Sequence, residues 1–156
     1  MKVKYLIGAL LLIGLLMSMP FGAWATDSAV TQSVTTHSSG EWVLTFTCTA
    51  HSANGGYSST ASTHPIDGYV IMAVTDPGTV SPTASYDLTI TDEDGEDIMG
   101  GALADRSATA TESAQPEIAG NAVISRRVNG LVTLAITGNS VNSAATEVKL
   151  YYRSRP

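Results

Sequence analysis

The sequence predicts an all-β chain: a single antiparallel β-sandwich, Ig-like or jelly-roll-like, or a small barrel, behind a cleaved N-terminal signal helix. Three observations predict it. Several stretches alternate strictly between apolar and polar residues, the period of a strand with one buried face. These stretches are short and are separated by Gly, Pro and Asn punctuation, as in sandwiches. Beyond residue 25 the chain carries 19 Thr and 16 Ser and no run rich in Ala, Leu, Glu and Lys, a composition that favours strands and polar turns. The expected plan is a signal peptide over 1–25, a flexible N-terminal arm over 26–40 and a β-sandwich domain over 41–156.

The N-terminus reads as an export signal. Lys2 and Lys4 give a basic start, and Tyr5 to Met17 supply an apolar core of 13 residues, shorter than the roughly 17–25 of a spanning helix. Ala23 and Ala25 form the small-x-small pattern that places cleavage after Ala25. Cys48 in "TFTCT" lacks the residues that precede a lipid-modified cysteine. The expected product is therefore secreted or periplasmic, with no membrane partner once the signal is removed. Losing Lys2 and Lys4 leaves 6 basic against 14 acidic side chains, net −8, so no nucleic-acid partner is expected. A single cysteine forbids an internal disulfide, and stability must come from packing or from assembly with other subunits.

Along the mature chain, residues 26–40 have only Ala29, Val30 and Val34 as apolar residues, without a sustained period. They read as a flexible arm or an edge segment. Glu41 to His51 then alternate, with Trp42, Leu44, Phe46, Cys48 and Ala50 on the buried side. Asn54-Gly55-Gly56 opens a loop or a loose edge strand. Tyr69 to Val74 are apolar on both faces, as in a strand covered on both sides, and Asp76-Pro77-Gly78 predicts a type II turn. Tyr86, Leu88 and Ile90 mark the next strand. Asp94-Gly95 predicts a type I′ hairpin that pairs Ile90 with Met99, and Ile98 and Met99 suggest a short return strand. Residues 100–120 read as a long connection with one weak strand. Val132, Leu134 and Ile136, then Val148, Leu150 and Tyr152, define two further strands around the turn "NSVNSA".

The densest chemistry is "TDEDGEDIMGG", with five carboxylates around Gly95. An EF-hand loop needs glycine at position 6 and glutamate at position 12. Counted from Asp92, those places hold Asp97 and Leu103, so the match fails. A hairpin explains the stretch more economically, and Asp92, Asp94 and Asp97 remain as weak candidates for a cation site. The predicted register sets Asp92 against Asp97 and Glu93 against Glu96, like charges that repel. His37, His51 and His64 are too far apart in sequence for a local zinc motif and read as surface residues, while Cys48 reads as a small core residue. No GxSxG, HExxH or phosphate loop is present. No enzyme activity and no cofactor are expected. Arg126, Arg127, Lys149, Arg153 and Arg155 hold most of the positive charge, and a head-to-tail contact between this basic end and the acidic tip of a neighbouring copy is one expectation.

From "TDPGTVSPTASYDLTITDEDGEDIMGGALADRSAT" through "VNGLVTLAITG" to "VKLYYR", the chain resembles small β-sandwich proteins encoded among the virion structural genes of tailed bacteriophages and prophages. The resemblance spans roughly residues 68 to 153. It implies a non-enzymatic subunit that packs against other copies or neighbouring structural proteins, and it supplies no catalytic residues. The export signal departs from that pattern, because virion proteins assemble in the cytoplasm. The leading expectation is an exported structural protein that assembles through strand edges. The alternative is an extracellular module binding carbohydrate or a surface polymer through Tyr57, Tyr151 and Trp42.

Overall fold

The structure, a computed structural model, describes residues 27–37, 39–118 and 122–154. The expected signal peptide lies outside them. Eleven strands and no α-helix occur among the described residues, so the fold is all-β. In chain order they are β1 (Ala29–Thr36), β2 (Glu41–Thr49), β3 (Thr60–Ala61), β4 (Ile66–Pro77), β5 (Asp87–Thr91), β6 (Glu112–Ala114), β7 (Glu117–Ile118), β8 (Ala122–Val123), β9 (Arg126–Gly130), β10 (Thr133–Thr137) and β11 (Ala145–Ser154).

The larger sheet runs β1-β2-β11-β4-β6, with β9 also pairing β4, and the smaller runs β3-β10-β5. The antiparallel sheets curl into a half-barrel. Leu44, Phe46, Val148 and Leu150 from the first sheet and Leu88, Ile90, Leu134 and Ile136 from the second belong to one core cluster. Each comes from a position that alternation marks as inward. Truncating a fully buried aromatic such as Phe46 costs about 3–5 kcal/mol, so this cluster carries much of the stability.

Strand β4 corrects the expectation of a segment covered on both faces. Tyr151 pairs with Met72 and Tyr152 with Val70, so Ile71 is the extra residue of a β-bulge. Ile66, Gly68 and Val70 are buried before it, Ala73 and Thr75 after it. The bulge shifts the phase of the strand by one residue. The apolar run is thus two one-sided halves joined out of phase, and Tyr69 is 47% exposed. The other edge of β4 is shared: β9 pairs with Ile66–Val70 and β6 with Ala73–Thr75.

The predicted type II turn at Asp76-Pro77-Gly78 is absent. The strand continues through Pro77, which pairs with Thr146, and Gly78 donates to the Ala145 carbonyl at 2.8 Å. Gly78 has no positive φ; it is small because a Cβ there would stand 2.6 Å from the Ala145 Cβ. Pro77 lies beyond the reach of β6, where a missing N–H leaves no ladder bond unmade.

Candidate functional site

The acidic tip turns differently from the expected type I′ hairpin. Ile98 donates to the Ile90 carbonyl at 2.8 Å and Asp92 to the Glu96 carbonyl at 3.1 Å, and Thr91 bridges Asp97. Ile90 therefore faces Ile98, not Met99. Gly95 has φ 83° while Asp94 is not in the positive-φ region, and Gly95 donates to the Asp92 carbonyl at 3.1 Å. This is a type I turn closed by a glycine bulge, one residue longer than a two-residue hairpin loop. The reason is the Asp92 carboxylate, whose Oδ1 accepts from the amides of Asp94 at 3.1 Å and Glu96 at 2.9 Å. That local bonding favours the Asx-type turn.

The return strand is a single bridge. Asp97 then accepts from Met99 at 3.0 Å through Oδ1 and from Gly101 at 2.7 Å through Oδ2, which steers the chain into successive turns. Those turns run beside β5, where Leu88 donates to the Leu103 carbonyl at 3.0 Å and Arg106 to the Tyr86 carbonyl at 2.8 Å.

Two further carboxylates are used across the fold. Glu93 Oε1 accepts from the Leu131 amide at 3.0 Å, and Glu96 pairs with Arg126. The acidic tip thus docks on its own chain, at β9 through Glu96 and at Leu131, the residue after β9, through Glu93. Asp92, Glu93 and Asp94 line a shallow cleft with Arg127 and Asn129. The like-charge pairs expected from the sequence are replaced: Asp92 faces Glu96, whose charge Arg126 offsets. Arg126, one of the five basic residues expected to meet a neighbour's tip, is engaged within the chain. Among the described residues no group of three or more His, Cys, Asp and Glu is placed to hold a metal ion. Of the candidates, Asp92 and Asp97 accept from backbone amides, while Asp94 stands exposed.

The remaining basic residues are scattered. Lys149 pairs with Glu147 at 2.5 Å, and hydrogen bonding to Glu147 raises the lysine's pKa. Arg153 is exposed at the end of β11, and Arg155 lies outside the described residues. Arg106, which the sequence did not single out, bonds the half-buried Glu112 at 3.0 Å.

The three histidines remain apart. His51 Nδ1 accepts from Ala53 at 3.0 Å and its Nε2 lies 3.5 Å from Asp27. His64 shares a 3.0 Å hydrogen bond with Thr63. His37 is exposed in the β1–β2 turn. Cys48 is 1% exposed, and burial pushes its thiol up to about 12, so it is a core residue with little thiolate.

Two of the three aromatic candidates for a glycan platform are engaged. The Tyr57 hydroxyl donates to the Ala144 carbonyl at 3.1 Å and lies 3.1 Å from Thr146 Oγ1. Trp42 stacks on Tyr152 with ring centres 6.3 Å apart. Tyr151 lies half-buried in a row with Val43 and Met72.

Residues 29–36, expected as a flexible arm or an edge segment, form the edge strand β1, paired with β2 along all eight residues. Val30, Gln32 and Val34 face inward opposite Cys48, Phe46 and Leu44. The Gln32 side chain spans the seam between the sheets. Its Nε2 donates to the Ala61 carbonyl at 2.8 Å and its Oε1 accepts from the Thr63 amide at 2.8 Å. On its outer side β1 meets no strand among the described residues. By contrast β4 is covered by β9 and β6, and β5 by the turns after Asp97.

No family model matches the chain, and no curated protein matches it. Among solved structures, the chain is similar to one described as "Cyanophage Pam1 capsid asymmetric unit", with 16% identity over 89% of this chain and 93% of that chain and a TM-score of 0.39.

Proposed function

We propose that this chain is an exported, non-enzymatic structural subunit that joins its neighbours by strand addition at the outer edge of β1. The observation that carries this reading is the edge itself. Natural sheets blunt long edges with charges, prolines or bulges. Ala29–Thr36 contains no charged residue and no proline and pairs with β2 without a break in register. An eight-residue strand of this kind presents a row of main-chain donors and acceptors, the template used in β-augmentation. The reactive side-chain types support a structural role. Cys48 sits in the core, and His51 and Asp97 bond to the backbone of their own turns. The virion-module resemblance of residues 68–153 implies the same kind of subunit, and the basic, apolar start of the sequence supports export.

Light scattering on the processed chain tests the proposal. The wild type is expected to gain average mass with concentration, and the double variant T31K/S33K is expected to remain monomeric. Thr31 and Ser33 are exposed, so the lysines leave the core untouched while setting charge along the edge. A wild-type mass that is flat with concentration overturns the reading. So does a lysine variant that associates as the wild type does.

A further inference from the structure

We propose that the strand received by β1 is β1 of a second copy, running antiparallel about a two-fold axis beside Gln32. This rests on the edge reading above and names its occupant. An isologous contact requires a surface complementary to itself, and β1 has that property. Around Gln32 the segment Ala29-Val30-Thr31-Gln32-Ser33-Val34-Thr35 reads nearly the same in both directions.

Face continuity limits the registers. The inward residues of one copy must meet inward residues of the other, since a one-residue slip would set the core face of one against the solvent face of its partner. Centred on Gln32, Val30 meets Val34 of the second copy, Thr31 meets Ser33, and Ala29 meets Thr35. Carried past the strand ends, the same register sets Asp27 of each copy opposite His37 of the other. The Asp27 side chain, 3.5 Å from His51 Nε2 of its own chain, is 99% exposed and His37 is exposed, so each end of the contact sets a second imidazole beside that carboxylate. Centring on Ser33 instead sets Gln32 against Val34 and Asp27 against Ser39. Centring on Thr31 sets Gln32 against Val30. Apart from Ala29 with Thr35, the register on Gln32 pairs apolar with apolar, hydroxyl with hydroxyl, and carboxylate with histidine.

Cysteine pairing reads the register directly. Thr31→Cys and Ser33→Cys chains are prepared separately, oxidised mildly alone and as a mixture, and followed beside light scattering from the low micromolar to the millimolar range, because strand addition by itself gives weak association. Buried Cys48 stays in place in both chains. The expected result is a covalent dimer several-fold more abundant in the mixture than in either chain alone. Dimer formed mainly by Ser33→Cys alone would establish the Ser33-centred register and overturn the inference, as would dimer mainly from Thr31→Cys alone. Association that T31K/S33K suppresses, with no cross-link in any of the three samples, overturns the second-copy β1 partner and leaves the edge reading standing. A chain monomeric throughout, with no cross-link, overturns both.

Discussion

Two hairpin tips in this molecule share the same closing hydrogen bonds and the same positive-φ glycine, and differ in the side chains around them. At the β1–β2 tip, His37 donates to the Glu41 carbonyl at 2.8 Å, Gly40 donates to the His37 carbonyl at 3.0 Å, and Gly40 has φ 74°. At the acidic tip, Asp92, Gly95 and Glu96 take the places of His37, Gly40 and Glu41, with bonds of 3.1 Å and a Gly95 φ of 83°. In both, a Cβ on the glycine would meet nothing within 4 Å. The glycines are there for torsion alone. The difference lies in the side chains: Asp92 bonds two amides of its own loop, Glu96 docks on β9 and Glu93 on Leu131 just past it. Backbone geometry decides how the chain reverses, and side chains decide whether the reversal is anchored.

Removing the internal carboxylate should separate the two tips most. Asp92→Ala takes an ionised acceptor from two amides and is expected to cost about 2 kcal/mol, whereas His37→Ala should stay within about 0.5 kcal/mol; urea midpoints read both. Equal losses at the two positions would break the comparison. Gly40→Ala and Gly95→Ala test what the tips share. Each forces a Cβ into the left-handed region at roughly 1 kcal/mol, and because both sites are open the two costs should agree.

These tips also mark the limits of sequence reading. Glu41–Thr49, Asp87–Thr91, Thr133–Thr137 and Ala145–Ser154 were legible because their alternation is local and unbroken. The register of the acidic hairpin differs by one residue from the sequence expectation, since Asp-Gly suits two turn types and the choice rests on the Asp92 side chain. The partners of Glu93 and Glu96 lie more than 25 residues further along, where no spacing rule reaches. Strand β1 was obscured by its composition: Thr, Ser and Gln alternate with only two valines, and hydropathy shows little of a strand held by pairing to β2. The phase flip of β4 was illegible because a bulge at Ile71 makes two one-sided halves look like one two-sided run.

Smaller effects sharpen the contrast. Glu96→Gln removes the ion pair with Arg126, a contact exposed on the glutamate side and worth about 0.5 kcal/mol. That loss should shrink as salt is raised, while His37→Ala at the first tip should show no such dependence. Transplanting the anchor is the finest test. His37→Asp supplies the first tip with a carboxylate in the place of Asp92, and it should stabilise the chain by less than about 0.5 kcal/mol when measured at dilution. A value as large as the Asp92→Ala loss would show that the carboxylate works without the rest of its loop.

The Gln32 amide bears on mechanics. Strand β1 is fastened to β2 along its length, so tension applied parallel to it loads those bonds in shear, many at once. The bidentate grip of Gln32 on Ala61 and Thr63 passes part of that tension into the opposite layer. A neighbour pulling on this strand would therefore strain the whole shell, and Gln32→Ala should lower the force at which a tethered molecule gives way before it noticeably changes how the molecule melts.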